Sequence, residues 1–163
     1  MTPLTQREVR ASFVNCTKGE ASRMTIPHYL SDLPWPDQDY LGWRDKQSPT
    51  RGYVVAVVQG SVHGVVLRAP QSAGPARKSM CSLCITTRTG GVALMVAPRA
   101  GRLGQQGNTV GTYICSDLQC SLYIRGKRHA DGPGIPETLT LEDRVARLLG
   151  NLEEFFRRVC AEP

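Results

Sequence analysis

The sequence predicts an α+β fold in which a small antiparallel sheet carries a cysteine-bearing segment and a long amphipathic helix closes the chain. Three features predict it. Short β-branched runs separated by turn residues recur between residues 53 and 114. Two cysteine pairs, Cys81/Cys84 and Cys115/Cys120, bracket the last two of those runs. Residues 141–159 carry apolar side chains at helical spacing. A chain of 163 residues, 40% hydrophobic and 21% charged, suits one globular domain with its own core.

Thr5 with Glu8 three residues later has the form of a capping box. Val9, Phe13 and Cys16 follow at helical spacing and Lys18-Gly19 reads as a stop, so a helix is predicted over residues 5–16. Pro27, Pro34 and Pro36 make the stretch to residue 50 irregular. Its Trp35, Tyr40, Leu41 and Trp43 are expected to cover one edge of the core.

Tyr53–Val58 and Val62–Leu67, divided by Gln59-Gly60-Ser61, predict a hairpin. Residues 70–79 predict a mobile basic loop. Val92–Ala97 and Thr109–Ile114 are a third and fourth strand, joined by a polar excursion over residues 98–108. A short helix is expected from near Asp117 towards Arg125, then a Gly- and Pro-rich loop over 126–136.

The clearest element is the last. Leu141, Val145, Leu148, Leu149, Leu152, Phe155, Phe156 and Val159 fall on one stripe of a helix within 138–160, which should pack on the sheet. Thr140 is its N-cap, with Asp143 at the third position. The expected organisation is a single domain over 1–163. It comprises an N-terminal helix and irregular segment (1–50), the sheet and cysteine segment (51–130), and the C-terminal helix (138–160).

Cys81-x2-Cys84 and Cys115-x4-Cys120 have the spacing of two bidentate pairs for one tetrahedral ion. A knuckle, a hairpin and a second pair leading into a short helix is the layout of a treble-clef zinc finger. Three other readings compete with zinc. A disulfide framework belongs to secreted chains, and Met1–Arg10 lacks the apolar run of a secretory signal. A thioredoxin-like redox pair wants a βαβ context that is missing here. Unrelated buried thiols would not explain two spaced pairs. Four protein ligands leave no position for water, so one structural Zn2+ is expected. Cys16 and Cys160 read as small packed hydrophobes on helices.

Charge is uneven. Between Arg68 and His129 there are nine cations and one acid, Asp117, a net of +8 in a chain whose total is +6. An anionic partner is implied, either an acidic protein surface or RNA. No apolar run reaches the roughly 18 residues of a membrane span, and the expected compartment is the cytoplasm. There is no nucleophile elbow and no phosphate-binding loop, and His28, His63 and His129 lack a second ligand at metal spacing. A binding module rather than an enzyme is expected. A thiol redox sensor is a more distant alternative.

Three stretches carry a likeness to known proteins: Ser79-Met-Cys-Ser-Leu-Cys84, Gly107-Asn-Thr-Val-Gly-Thr-Tyr-Ile-Cys115 and Cys120-Ser-Leu-Tyr-Ile-Arg-Gly-Lys127. With the closing helix Thr140–Val159, they resemble the C-terminal treble-clef domain of the elongation-factor-G-binding proteins, the FusB-type fusidic acid resistance family. Ala11–Glu20 and Leu41-Gly-Trp-Arg-Asp45 resemble its short actinobacterial-type members. The resemblance implies zinc on Cys81, Cys84, Cys115 and Cys120. It also implies binding to elongation factor G, on or off the ribosome, with modulation of its release and protection against fusidic acid. The two-domain resistance proteins carry a separate N-terminal helical bundle, which this chain is not expected to have.

Candidate partner contacts are the cations and aromatics beside the finger: Arg99, Arg102, Tyr123, Arg125, Lys127, Arg128 and Phe156. Direct contact with ribosomal RNA is the alternative use of the same cations.

Overall fold

The structure is a computed structural model describing residues 1–70, 76–129 and 137–161. Helix α1 (Gln6–Ala11) begins at Thr5, and Glu8 completes the expected capping box. The helix does not run to residue 16. Phe13 leaves it to form a parallel bridge with Gly64, with Val14 N–H donating to Gly64 O (2.9 Å) and Gly64 N–H to Ser12 O (2.8 Å). A Cβ on Gly64 would lie 2.6 Å from Ser12 Oγ, so only glycine permits the approach.

Lys18-Gly19 opens a helix instead of closing one. Thr17 and Glu20 form a second capping box on α2 (Lys18–Arg23). The segment expected to be irregular then holds two 3-10 turns, His28–Asp32 and Trp35–Asp37, and a strand, β1 (Leu41–Arg44).

Strands β2 (Arg51–Val58) and β3 (Ser61–Arg68) form the expected hairpin, with a turn one residue tighter than expected because Ser61 pairs with Val58. Gln59 and Gly60 both have positive φ, 49° and 78°, as a two-residue hairpin turn with the right-handed strand twist requires. A separate ribbon pairs β4 (Lys78–Met80) with β5 (Thr87–Thr89), which the sequence reading did not anticipate. Then come β6 (Val92–Pro98), a short helix α3 (Gly101–Gln105) inside the expected polar excursion, and β7 (Thr109–Cys115). Helices α4 (Cys120–Ile124) and α5 (Leu141–Cys160) follow, the latter capped by Thr140. Residues 71–75 and 130–136 of the two expected loops lie outside the described residues.

The main sheet is antiparallel in the order β1-β2-β3-β6-β7. Successive residues of β2 point to opposite faces, and both faces are covered. Val54 and Ala56 meet Leu148, Leu152, Phe155, Phe156 and Val159 of α5, together with Met95, Ala97 and the four cysteines. Tyr53 and Val55 meet Leu4, Val9, Met24, Leu30, Trp35 and Trp43 of the N-terminal layer. Phe13 stands edge-on to Trp43 and Tyr53, at centroid distances of 6.4 and 5.9 Å. Burying side chains of this size stabilises by about 1.5–3 kcal/mol each. Among the described residues no helix is long and apolar enough to cross a membrane.

Candidate metal centre

Cys81 follows β4, and Cys84 closes a turn whose geometry the backbone sets. Ile85 N–H donates to Cys81 O (2.9 Å) and Cys81 N–H to Thr86 O (3.0 Å), with Ile85 in the left-handed region at φ 61°. The second pair repeats the device. Cys115 ends β7, Leu118 N–H returns to Cys115 O (2.8 Å) at φ 60°, and Cys120 opens α4. Two non-glycine residues held at positive φ mark backbone that the surroundings constrain. The short helix thus starts three residues later than the sequence suggests, because Leu118 turns the chain first.

Leu83, between the first two cysteines, is buried, and α5 supports the knuckle directly. Asn151 Nδ2 donates to Leu83 O (3.0 Å) and Arg147 Nη2 to Cys84 O (3.5 Å).

The four Sγ atoms lie within 4.8 Å of one another, at most 3% of any of the four residues is exposed, and none is in a disulfide. Cys81–Cys120 and Cys84–Cys115 sulfur pairs are 3.7 and 3.6 Å apart. A tetrahedron with Zn–S bonds of about 2.3 Å has edges of about 3.8 Å, so the cluster fits zinc. Without a cation, four thiols this close cannot all ionise. Burial pushes Cys120 well up; Cys115 is pulled down by its hydrogen bond to Cys120 but raised overall by those to Cys81 and Cys84; and the thiol hydrogen bonds from Cys115 and Cys120 pull Cys81 and Cys84 down. A dication removes that conflict, since zinc binds thiolates.

The centre also has neighbours. Tyr40 is buried, and its Oη accepts Cys120 N–H at 3.4 Å. Arg88 stacks 4.3 Å from the Tyr123 ring centroid. Asp117 gathers the local cations, accepting from Tyr123 Oη (2.7 Å) and pairing with Arg88 and Arg128 at 3.5 Å each.

The structure gives several expected partner residues an internal role. Arg125 is bidentate to Asp39, Lys127 reaches Asp37 at 2.5 Å, and Arg128 reaches Asp117. Tyr123 is buried against Arg88, and Phe156 is buried in the core beside Phe155. Arg99 and Arg102 flank the start of α3 and have no carboxylate within ion-pair distance among the described residues. Lys127 and Arg128 keep about half their side-chain surface exposed. Cys16 lies between α1 and α2 rather than on a helix, half-buried, and Cys160 is exposed at the end of α5, so neither is a packed helical core residue. His28 and His129 are exposed, and His63 is half-buried on β3.

Sequence reasoning missed Leu94 and Tyr113. They sit directly opposite each other on β6 and β7, on the face away from α5, and are 42% and 50% exposed. Gly111 lies beside them, with Leu94 Cδ1 covering the space where its Cβ would stand. Alternation along β7 signals this face, because Val110, Thr112 and Ile114 take the inner positions.

The family model for the FBP C-terminal treble-clef zinc-finger matches residues 8–159. Among solved structures, the fusidic acid resistance protein FusC is similar, with a TM-score of 0.54 and 18% identity. That likeness, one of fold, covers 82% of this chain and 50% of the FusC chain, so this chain spans about half the length of that protein. No curated protein matches the chain by sequence.

Proposed function

The chain belongs to the FBP C-terminal treble-clef zinc-finger family, and on that premise we propose that it is a binding module for elongation factor G. One structural Zn2+ on Cys81, Cys84, Cys115 and Cys120 holds the module together. Docking changes how long the factor stays on the ribosome, and protection against fusidic acid follows where the drug prolongs that stay. The role is association rather than catalysis, and its place is the cytoplasm.

The observation that carries this reading is the outer face of β6 and β7. Leu94 and Tyr113 form an exposed apolar pair on two paired strands, the second of which ends at Cys115, while Arg99 and Arg102, at the end of β6, meet no carboxylate among the described residues. An apolar centre with a cationic rim suits an acidic protein surface.

The test is a binding titration with purified elongation factor G. A saturable complex weakened by Leu94→Glu and Tyr113→Ala is expected. Absence of a complex, with salt-sensitive binding to ribosomal RNA instead, would replace this reading by direct RNA contact.

A further inference from the structure

We propose that the free edge of β7 takes an extended acidic segment of the partner as a sixth strand of the main sheet. The proposal rests on the reading of β6 and β7 as the docking face, and it adds main-chain pairing to the side-chain contacts of that face.

The sheet ends on β1 at one side and on β7 at the other. The β1 edge is covered, since Gln119 Nε2 donates to Gly42 O (2.9 Å) and Leu118 packs where a Gly42 Cβ would stand. The β7 edge is open. At the two ends of the β6–β7 register, Ser116 N–H donates to Gly91 O (3.0 Å) and Arg99 N–H to Asn108 O (2.9 Å). Alternation between those bonds turns the backbone of Val110, Thr112 and Ile114 towards β6. It leaves the N–H and C=O groups of Thr109, Gly111 and Tyr113 on the outer side. Ser82 N–H donates to Tyr113 O (2.7 Å), and among the described residues no other backbone group pairs with that side.

Open edges invite pairing, and proteins blunt them with lysine, proline, a bulge or a covering segment. Beyond Ser82, β7 has none of these. Its register with β6 is unbroken, and Thr109–Cys115 carries neither a charge nor a proline. Thr109, Gly111 and Tyr113 are all exposed, and Gly111 has no side chain to hold an incoming backbone away. Side chains of an added strand alternate between the two faces of the sheet, so one set lies beside Tyr113. Charge selects the occupant. Nine cations and one acid lie between Arg68 and His129, and Arg99 and Arg102 follow β6 directly. A second copy paired through β7 would set two such surfaces against each other, whereas an acidic segment is attracted to them.

The experiment uses the zinc-loaded full chain with two probes, purified elongation factor G and a short peptide alternating glutamate with valine. Binding is read together with amide hydrogen exchange. In the complex, exchange at the Thr109, Gly111 and Tyr113 amides is expected to slow by about tenfold or more. Thr109→Pro and Gly111→Pro each remove an outward N–H while sparing the bonds to β6. Each is expected to weaken binding by about tenfold, and Thr109→Ala to bind as the parent does. If a proline variant loses its zinc, exchange in the parent complex decides. A factor complex in which these amides exchange as in the free chain, or proline variants that bind like the parent, overturns strand addition and leaves the elongation-factor reading standing. Peptide paired in the expected way without any factor complex upholds strand addition and removes that reading. Binding of neither probe overturns both. Protection of the same amides that grows with concentration of the chain alone assigns the edge to a second copy and also overturns the proposal.

Discussion

Arg125 and Asp39, 86 positions apart, form a two-pronged ion pair, with Nη1–Oδ2 at 2.6 Å and Nη2–Oδ1 at 2.8 Å. Their side chains are only 13% and 6% exposed. The pair fastens α4, which carries Cys120, to the segment leading into β1. Asp39 N–H donating to Ser121 Oγ (3.0 Å) and Gln119 Nε2 donating to Gly42 O (2.9 Å) reinforce the joint.

Arg125→Ala strands a mostly buried carboxylate, and a loss of about 3 kcal/mol is expected. Arg125→Lys recovers only part of it, because a single ammonium cannot match both oxygens. Urea unfolding of the zinc-loaded protein measures this. A change below about 0.5 kcal/mol, the scatter of ordinary surface substitutions, would show that the pair is not structural.

Purified, reduced protein is expected to carry one equivalent of zinc by elemental analysis. Cys81→Ser and Cys120→Ser remove a ligand each, and loss of the folded finger and of partner binding is expected together. Metal binding in comparable small sites contributes on the order of 10 kcal/mol. Thiolates take up protons as pH falls, so zinc release is promoted by acid and opposed by base. A folded, zinc-free Cys120→Ser protein would contradict this account.

Thr17→Ala removes the cap of α2, and a cost of about 1 kcal/mol is expected from thermal unfolding. Hydrogen bonds from the Thr17 backbone and then its hydroxyl hold Glu20 below its ordinary 4.5. A depressed folded-state value means that this stabilisation is present above 4.5 and disappears as pH falls through the folded value. Glu20→Gln should flatten that acidic limb of the stability profile. An unchanged limb would locate the acid sensitivity elsewhere.

Gly42→Ala and Gly150→Ala are expected to act in opposite directions. A Cβ on Gly42 would lie 2.5 Å from Leu118 O and 2.8 Å from Leu118 Cβ, forcing β1 off the second knuckle, at a cost of about 2 kcal/mol. Gly150 is exposed within α5, where an added Cβ meets nothing within 4 Å, so alanine should stabilise by about 0.5–1 kcal/mol. Matching signs in denaturant melts would contradict both placements.

What the sequence determined by itself is what short-range chemistry specifies. Cysteine spacing identified the zinc ligands because a tetrahedral ion needs pairs that bite from one turn. Apolar periodicity identified α5, and β-branched runs around Gln59-Gly60 identified the central hairpin. Local signals misled at Lys18-Gly19, which reads as the stop of a helix over residues 5–16, whereas Thr17 and Glu20 form a second capping box that opens α2 there. Only the tertiary structure decided which cations are free. Arg125 and Lys127 read as surface charge until Asp39 and Asp37 arrive from a segment some 90 residues away, and Tyr123 reads as a surface aromatic until it is buried beside Arg88. β1, Tyr40 and Arg88 acquire their roles in the same manner. Their partners are brought near by chain folding, and no periodicity along the chain encodes a contact between residues so far apart.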